Sequence, residues 1–124
     1  MCIRDSPDVI AGQGTVGAEV LEQCPDVATL VVCTGGGGLV SGVAAAVKER
    51  RPDVRVVAVQ AAAAAAFPGS LAAGRPVALS GMTTMADGIA VGAPGELTFA
   101  HVRDLVDEVR TVSEEDLSLS LIHI

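Results

Sequence analysis

The stretch Thr34-Gly35-Gly36-Gly37-Gly38-Leu39 carries the strongest chemical signal in the sequence. Glycine loses more backbone entropy on folding than any other residue, so four in a row are costly for a plain connection. Bare backbone is useful where successive N–H groups must converge on an anion. Without Cβ atoms in the way they can cradle a dianionic phosphate, and a helix starting at that point adds the positive end of its dipole. Such a loop needs no lysine or arginine of its own. The alternative is a purely structural, flexible connection. A nucleoside-triphosphate loop would place Lys and then Ser or Thr after its closing glycine, whereas Gly42 is followed by Val43-Ala44, which argues against triphosphate hydrolysis.

A second pattern, Gly12-Gln-Gly14-Thr-Val-Gly17, has the literal spacing of a dinucleotide fingerprint. That fingerprint also requires a full strand before it and a carboxylate at the end of the next strand. Here the next strand ends at Cys33-Thr34, and a tight turn opening a closely packed helix is the better account. Cys2, Cys24 and Cys33 show no CxxC spacing and have no histidine nearby in sequence, so neither a zinc site nor a disulfide framework is indicated. Asp87 precedes Gly88, and that Asp-Gly context makes it a turn former before it makes it a catalytic acid.

These residues need elements to hold them. Ala28 to Cys33 is a continuous uncharged run ending at the tetraglycine, the composition of a strand buried on both faces of a parallel sheet. Leu39 to Arg51 has a helical pattern, with Lys48, Arg50 and Arg51 where they complement the dipole, and Pro52-Asp53 ends it. Arg55 to Gln60 is a second buried-strand run, so strand, glycine loop, helix and strand form a βαβ unit. Upstream, Val9-Ile10-Ala11 leads into the Gly12–Thr15 turn, Val16 to Gln23 has helical composition, and Cys24-Pro25-Asp26 ends it. Downstream, the alanine tract Ala61–Ala66 leads at Phe67-Pro68-Gly69 into a loop-rich stretch reaching Gly95. Glu96–Leu105 then reads as a helix, Asp107–Val112 as a strand, and Ser113 as the N-cap of a helix whose first turn holds Glu114, Glu115 and Asp116. The expected fold is α/β, a three-layer parallel-sheet domain whose βαβ unit carries the phosphate loop.

Bulk properties set outer bounds. The 124 residues suffice for one domain with its own core. Half are hydrophobic, mainly Ala and Val, with two Phe and neither Trp nor Tyr. A net charge of -7 without a basic cluster argues against nucleic-acid and anionic-membrane surfaces. No apolar run approaches a membrane span, no signal-peptide core is visible, and a cytoplasmic location is expected. The ends differ in rhythm from the interior. Residues 1–6 (Met1-Cys-Ile-Arg-Asp-Ser6) and 118–124, ending Leu119-Ser-Leu-Ile-His-Ile124, resemble translated adapter sequence and are expected to be non-native, leaving 7–117 as a partial α/β domain. Cys2 and His123 would then carry no meaning.

Four stretches together resemble the threonine/serine dehydratases, fold-type II pyridoxal-phosphate enzymes that include serine racemase. They are Ile10-Ala-Gly-Gln-Gly-Thr-Val-Gly17, Gly35-Gly-Gly-Gly-Leu-Val-Ser-Gly42, Ala86-Asp-Gly-Ile-Ala-Val91 and Val106-Asp-Glu-Val-Arg-Thr-Val-Ser-Glu-Glu115. The resemblance runs from Pro7 to about Leu117. It implies that Gly35, Gly36, Gly37 and Gly38 bind the phosphate of pyridoxal 5'-phosphate, that Leu39 closes the loop, and that Gly88 approaches the cofactor ring. It further implies an ammonia-lyase acting on L-threonine or L-serine in the intact enzyme, with a homo-oligomeric parent. Serine racemase, another β-eliminating relative, or a non-catalytic phosphate-binding domain are the alternatives.

The same resemblance places the Schiff-base lysine and the loop gripping the substrate carboxylate before Pro7, and a hydroxyl or thiol near the pyridine nitrogen after Leu117. The chain is therefore expected to be an internal fragment, inactive alone, with no catalytic residue of its own. Its one lysine, Lys48, lies far along the helix from the loop and reads as a solvated surface residue. Some relatives hold a cation with carboxylates just after the strand that here ends at Gln60, where Glu is usual. An amide is a weaker ligand for a hard cation, so that metal site is expected to be lost or weakened.

Overall fold

A computed structural model describes residues 6–124; the expectations for Cys2 and for residues 1–5 lie outside the described residues. Three parallel strands form one sheet in the order β1-β2-β3, with β1 at Thr29–Cys33, β2 at Arg55–Ala61 and β3 at Glu108–Val112. The register runs from Thr29 opposite Arg55 to Cys33 opposite Val59, and from Val57 opposite Glu108 to Ala61 opposite Val112. Parallel neighbours require crossovers. Helix α2, Gly38–Arg50, makes the first, and α3 (Ala66–Ala73) and α4 (Glu96–Leu105) lie within the second. Helices α1 (Pro7–Gln23) and α5 (Glu114–His123) flank this α/β arrangement. Among the described residues no helix is long and apolar enough to cross a membrane.

The core forms where α2 lies over the sheet. Val40, Val43, Ala44 and Val47 of α2 meet Val32 of β1 and Val56 and Ala58 of β2, and Phe67 and Val102 fill the end nearer α3 and α4. Each such valine contributes on the order of 1.5–3 kcal/mol by leaving water. The opposite face of β1 departs from expectation: Val31 is 67% exposed, and Thr29 and Cys33 are exposed too. An uncharged β-branched run records what a strand can bury, but α2 covers one face of β1 only.

Two helices appear where turns were expected. The stretch from Val9 through Gly17 lies wholly inside α1. Ser6 caps this helix by accepting the Val9 amide at 3.3 Å, Pro7 occupies the first turn, and Asp8 sits at the positive end of the dipole. The glycines are neither a turn nor a dinucleotide fingerprint; they set how near α1 comes to α2. A Cβ on Gly17 would lie 3.0 Å from the Val43 carbonyl oxygen, and one on Gly14 would lie 3.3 Å from that of Gly42. Likewise Phe67-Pro68-Gly69 does not begin a loop but lies inside α3, where Pro68 is tolerated because first-turn amides have no intrahelical partner. The Ser113 cap is as expected, with Asp116 returning the bond to the Ser113 amide. The expected non-native segment 118–124 continues α5 as far as His123.

Lys48 is not a solvated surface residue. Its side chain is 17% exposed, and Nζ donates to the Val54 carbonyl and to Asp107 Oδ2, both at 2.7 Å. Asp107 Oδ2 also accepts the Val56 amide at 2.8 Å, so one carboxylate joins α2, β2 and the entry to β3. The Lys48 ammonium, and after it the Val56 amide, hold the Asp107 carboxyl below the usual carboxylate range. A depressed folded-state pKa stabilises the fold above the ordinary value of about 4 and ceases to do so as the pH falls through the folded one. Lys48→Met is expected to destabilise the chain by about 1–2 kcal/mol, because the Val54 carbonyl loses the ammonium donor and a partly exposed carboxylate keeps only the Val56 amide. Urea titrations at pH 7 and pH 3 check this: the loss should shrink at pH 3, and an equal loss at both would show that Asp107 is not the partner that counts.

Candidate functional site

The C-terminal ends of parallel strands are where α/β proteins place ligands, and the tetraglycine leaves β1 at such an end. Thr34, buried, fixes the departure: its amide donates to the Val59 carbonyl at 2.8 Å and its Oγ1 to the Val32 carbonyl at 3.0 Å. The chain then turns through Gly35 and Gly36 to Gly37, which has φ +96° and serves as N-cap of α2. That left-handed conformation, with nothing but glycine at the cap, leaves α2 with no side-chain cap. Among the described residues, none of the amides of Gly35, Gly36, Gly37, Gly38 or Leu39 donates to a protein acceptor. Five successive donors thus gather at the positive end of a 13-residue helix.

The loop forms one wall of a cavity of about 420 Å³. Gly35, Gly36, Gly37, Gly38 and Leu39 all line it, and so do Gly88, Ile89 and Val91. The fold therefore brings to one cavity every residue expected from the sequence to touch a cofactor. Gly88 lies in a short 3-10 turn, Asp87–Ile89, which Glu114 at the start of α5 helps to anchor by accepting the Met85 amide at 2.9 Å. Contact between the loop and this turn is close: a Cβ on Gly35 would lie 3.1 Å from both the Cα and the carbonyl oxygen of Ile89. Asp87 is exposed and is not among the lining residues.

Other lining residues were not anticipated. Val9 and Gln13 come from α1, and Cys33 and Thr34 from the end of β1. Val9 and Gln13 stand four apart and so share a helix face, a signal hidden when the segment is read as a turn. Cys33 is an exposed free thiol at the rim. None of the lining residues is charged, so attraction for an anion here comes from peptide dipoles alone. Lys48 lies outside the cavity, with its ammonium committed to Asp107 and the Val54 carbonyl. Gln60, considered above for metal binding, has both ends of its amide engaged: Nε2 donates to the Gly35 carbonyl at 3.2 Å and Oε1 accepts the Phe67 amide at 3.0 Å.

A phosphate ester fits what is present. The cavity has room for a cofactor-sized group, its donors are unpaired amides, and the close approaches at Gly35 and Gly37 leave no space for side chains that would obstruct them. Comparison with known proteins agrees with this chemistry. A family profile described as pyridoxal-phosphate dependent enzyme matches residues 3–118. An L-threonine ammonia-lyase of Geobacter sulfurreducens is 50% identical over 118 residues, which is 95% of this chain and 29% of that protein. A solved threonine deaminase from T.th. superposes with a TM-score of 0.89 at 42% identity, covering 93% of this chain and 44% of that one. Maize serine racemase gives a TM-score of 0.88 at 41% identity, covering 92% and 36%. The chain thus spans about three-tenths of the length of the curated relative.

Proposed function

Because the chain belongs to the pyridoxal-phosphate-dependent enzyme family, we propose that residues 7–117 supply the cofactor-phosphate grip of a threonine/serine ammonia-lyase. The observation that carries this reading is the row of unpaired amides from Gly35 to Leu39 at the uncapped start of α2, in a cavity that Gly88 also lines. Gly36, Gly37, Gly38 and Leu39 would hold the phosphate by N–H donation, and the α2 dipole would favour its dianionic form. Gly35 would let the loop lie flat against Ile89, and Gly88 would leave room for the ring. When bound, pyridoxal phosphate supplies an electron sink for the negative charge that develops at the substrate Cα. The chain's part is binding and orientation. Lys48 is engaged elsewhere and takes no part in the reaction.

The proposed substrates are L-threonine or L-serine, converted overall to a 2-oxo acid and ammonia, on the strength of the likeness to the Geobacter ammonia-lyase. Racemisation is the second reading, supported by the TM-score of 0.88 to maize serine racemase, beside 0.89 to the threonine deaminase. Release of 2-oxo acid, as against appearance of the D-amino acid, separates the two. The phosphate grip can be tested directly on the purified chain. Titration with pyridoxal phosphate should shift the Gly36–Leu39 amide resonances, inorganic phosphate should compete, and pyridoxal without its phosphate should bind at least about tenfold more weakly. Borohydride treatment should leave the mass of the chain unchanged. Equal binding of pyridoxal and pyridoxal phosphate would rule out a grip through the loop.

A further inference from the structure

We infer that Gln60 and Thr98 are positioning residues that aim the Gly36 and Gly37 amides into the cavity by holding the carbonyl oxygens immediately before them. This rests on the phosphate-grip reading and deepens it. No cis peptide bond occurs among the described residues, and in a planar trans peptide the C=O and the following N–H point in opposite directions. Whatever fixes a carbonyl therefore fixes the next amide. Gln60 Nε2 holds the Gly35 oxygen at 3.2 Å, and Thr98 Oγ1 holds the Gly36 oxygen at 2.7 Å. The two carbonyls are consecutive, so the two amides they aim, Gly36 and Gly37, are consecutive as well.

Both side chains are fully buried and come from different elements, Gln60 from β2 and Thr98 from the first turn of α4. Glycine has the widest choice of backbone conformation, so a loop of four needs outside constraint if its donors are to be in place before the anion arrives. The amide orientation of Gln60 is unambiguous: the Phe67 amide can only donate and the Gly35 carbonyl can only accept, so Oε1 must face the former and Nε2 the latter. A glutamate here would keep the first bond and, when ionised, lose the second. Thr98 has one hydroxyl proton and two carbonyls in reach, Gly36 at 2.7 Å and Gly95 at 3.1 Å; the shorter contact takes the proton. Gly37 is also braced from beneath, where a Cβ would lie 3.0 Å from Thr98 Cβ.

The test uses the whole 124-residue chain, isotope-labelled, with inorganic phosphate as the probe. Thr98→Val keeps the shape and removes the hydroxyl; Thr98→Ser restores it. The valine variant should bind phosphate about tenfold more weakly and the serine variant within about twofold of the parent, the difference made by one misaligned donor to a charged acceptor. Residual dipolar couplings in the phosphate-free chain supply a readout that simple destabilisation does not move. The Gly37 N–H vector should reorient in Thr98→Val and the Gly36 vector in Gln60→Met. If Gln60→Met does not fold, Gln60→Glu at neutral pH takes its place. Unchanged Gly36 and Gly37 vectors in the folded variants overturn the inference, whatever the phosphate result. If the parent shows no phosphate response from Gly35 to Leu39, the phosphate-grip reading falls, and the couplings still decide whether Gln60 and Thr98 aim the amides.

Discussion

Gly42→Ala is expected to destabilise the chain by about 2 kcal/mol or more, although alanine is the better helix former by roughly 1 kcal/mol. Gly42 sits within α2 where α1 crosses it, and its added Cβ would lie 2.3 Å from the Ile10 carbonyl oxygen, 2.7 Å from the Gly14 amide nitrogen and 2.9 Å from the Gln13 carbonyl carbon. All three are backbone atoms. A clash with a side-chain tip can be relieved by a rotamer change, but this one requires the helices to separate, which strips contacts along the whole α1–α2 seam. The overlap therefore outweighs the gain in propensity. Gly12 provides the contrast. A Cβ there meets nothing within 4 Å, so Gly12→Ala should stabilise α1 by about 0.5–1 kcal/mol. Urea denaturation of the two variants should give shifts of opposite sign. A tolerated Gly42→Ala would mean that the seam is loose in solution.

The second large effect is expected at Gly37. An alanine there must hold φ near +96° while its Cβ lies 2.7 Å from Phe67 Cζ and 3.0 Å from Thr98 Cβ. The left-handed conformation alone costs about 1–2 kcal/mol for an L-residue. Phe67 is fully buried and cannot swing clear without opening the core beneath α3. The easier escape is for the loop to change shape, which carries the Gly37 and Gly38 amides out of alignment. Gly37→Ala should thus weaken phosphate binding on the order of 100-fold. Adding Phe67→Leu should recover part of the loss, because it relieves the contact but not the dihedral cost. Calorimetric titration of the single and double variants checks this. No recovery in the double variant would place the whole effect in φ.

How much of the fold and of the cavity is legible in the sequence depends on how local the deciding physics is. The βαβ unit is readable because β1 and β2 are short β-branched runs bounded by glycine on one side and Pro52-Asp53 on the other, and the Ser113 cap because its partner Asp116 lies within the same turn. The tetraglycine suggests an anion cradle in the sequence because that role would need only bare backbone donors. The α1 glycines mislead because spacing that signals a turn in isolation is equally what a helix needs when a second backbone lies close, and only Gly42 across the seam decides between them. The cap Ser6-Pro7-Asp8 favours a helix, but its capping residue Ser6 belongs to the terminal segment 1–6 that is expected from the sequence to be non-native. Gln60 suggests, from its type and position alone, only what its oxygen could do to a cation. Its bond to Gly35, 25 residues away, depends on β1 and β2 lying side by side in parallel register, which no local pattern encodes.

The absence of charge around the cavity has a kinetic consequence. A dianion approaching a chain of net charge -7 moves against a repulsive field, and among the described residues no lysine or arginine lines the cavity to draw it in. The attraction of peptide dipoles is short-ranged and is felt only near contact. Electrolyte weakens the long-range repulsion but barely touches hydrogen bonds already formed in a partly enclosed cavity. Moderate salt should therefore speed entry of a phosphate and leave its escape nearly unaltered, the reverse of the behaviour of a site built from cationic side chains.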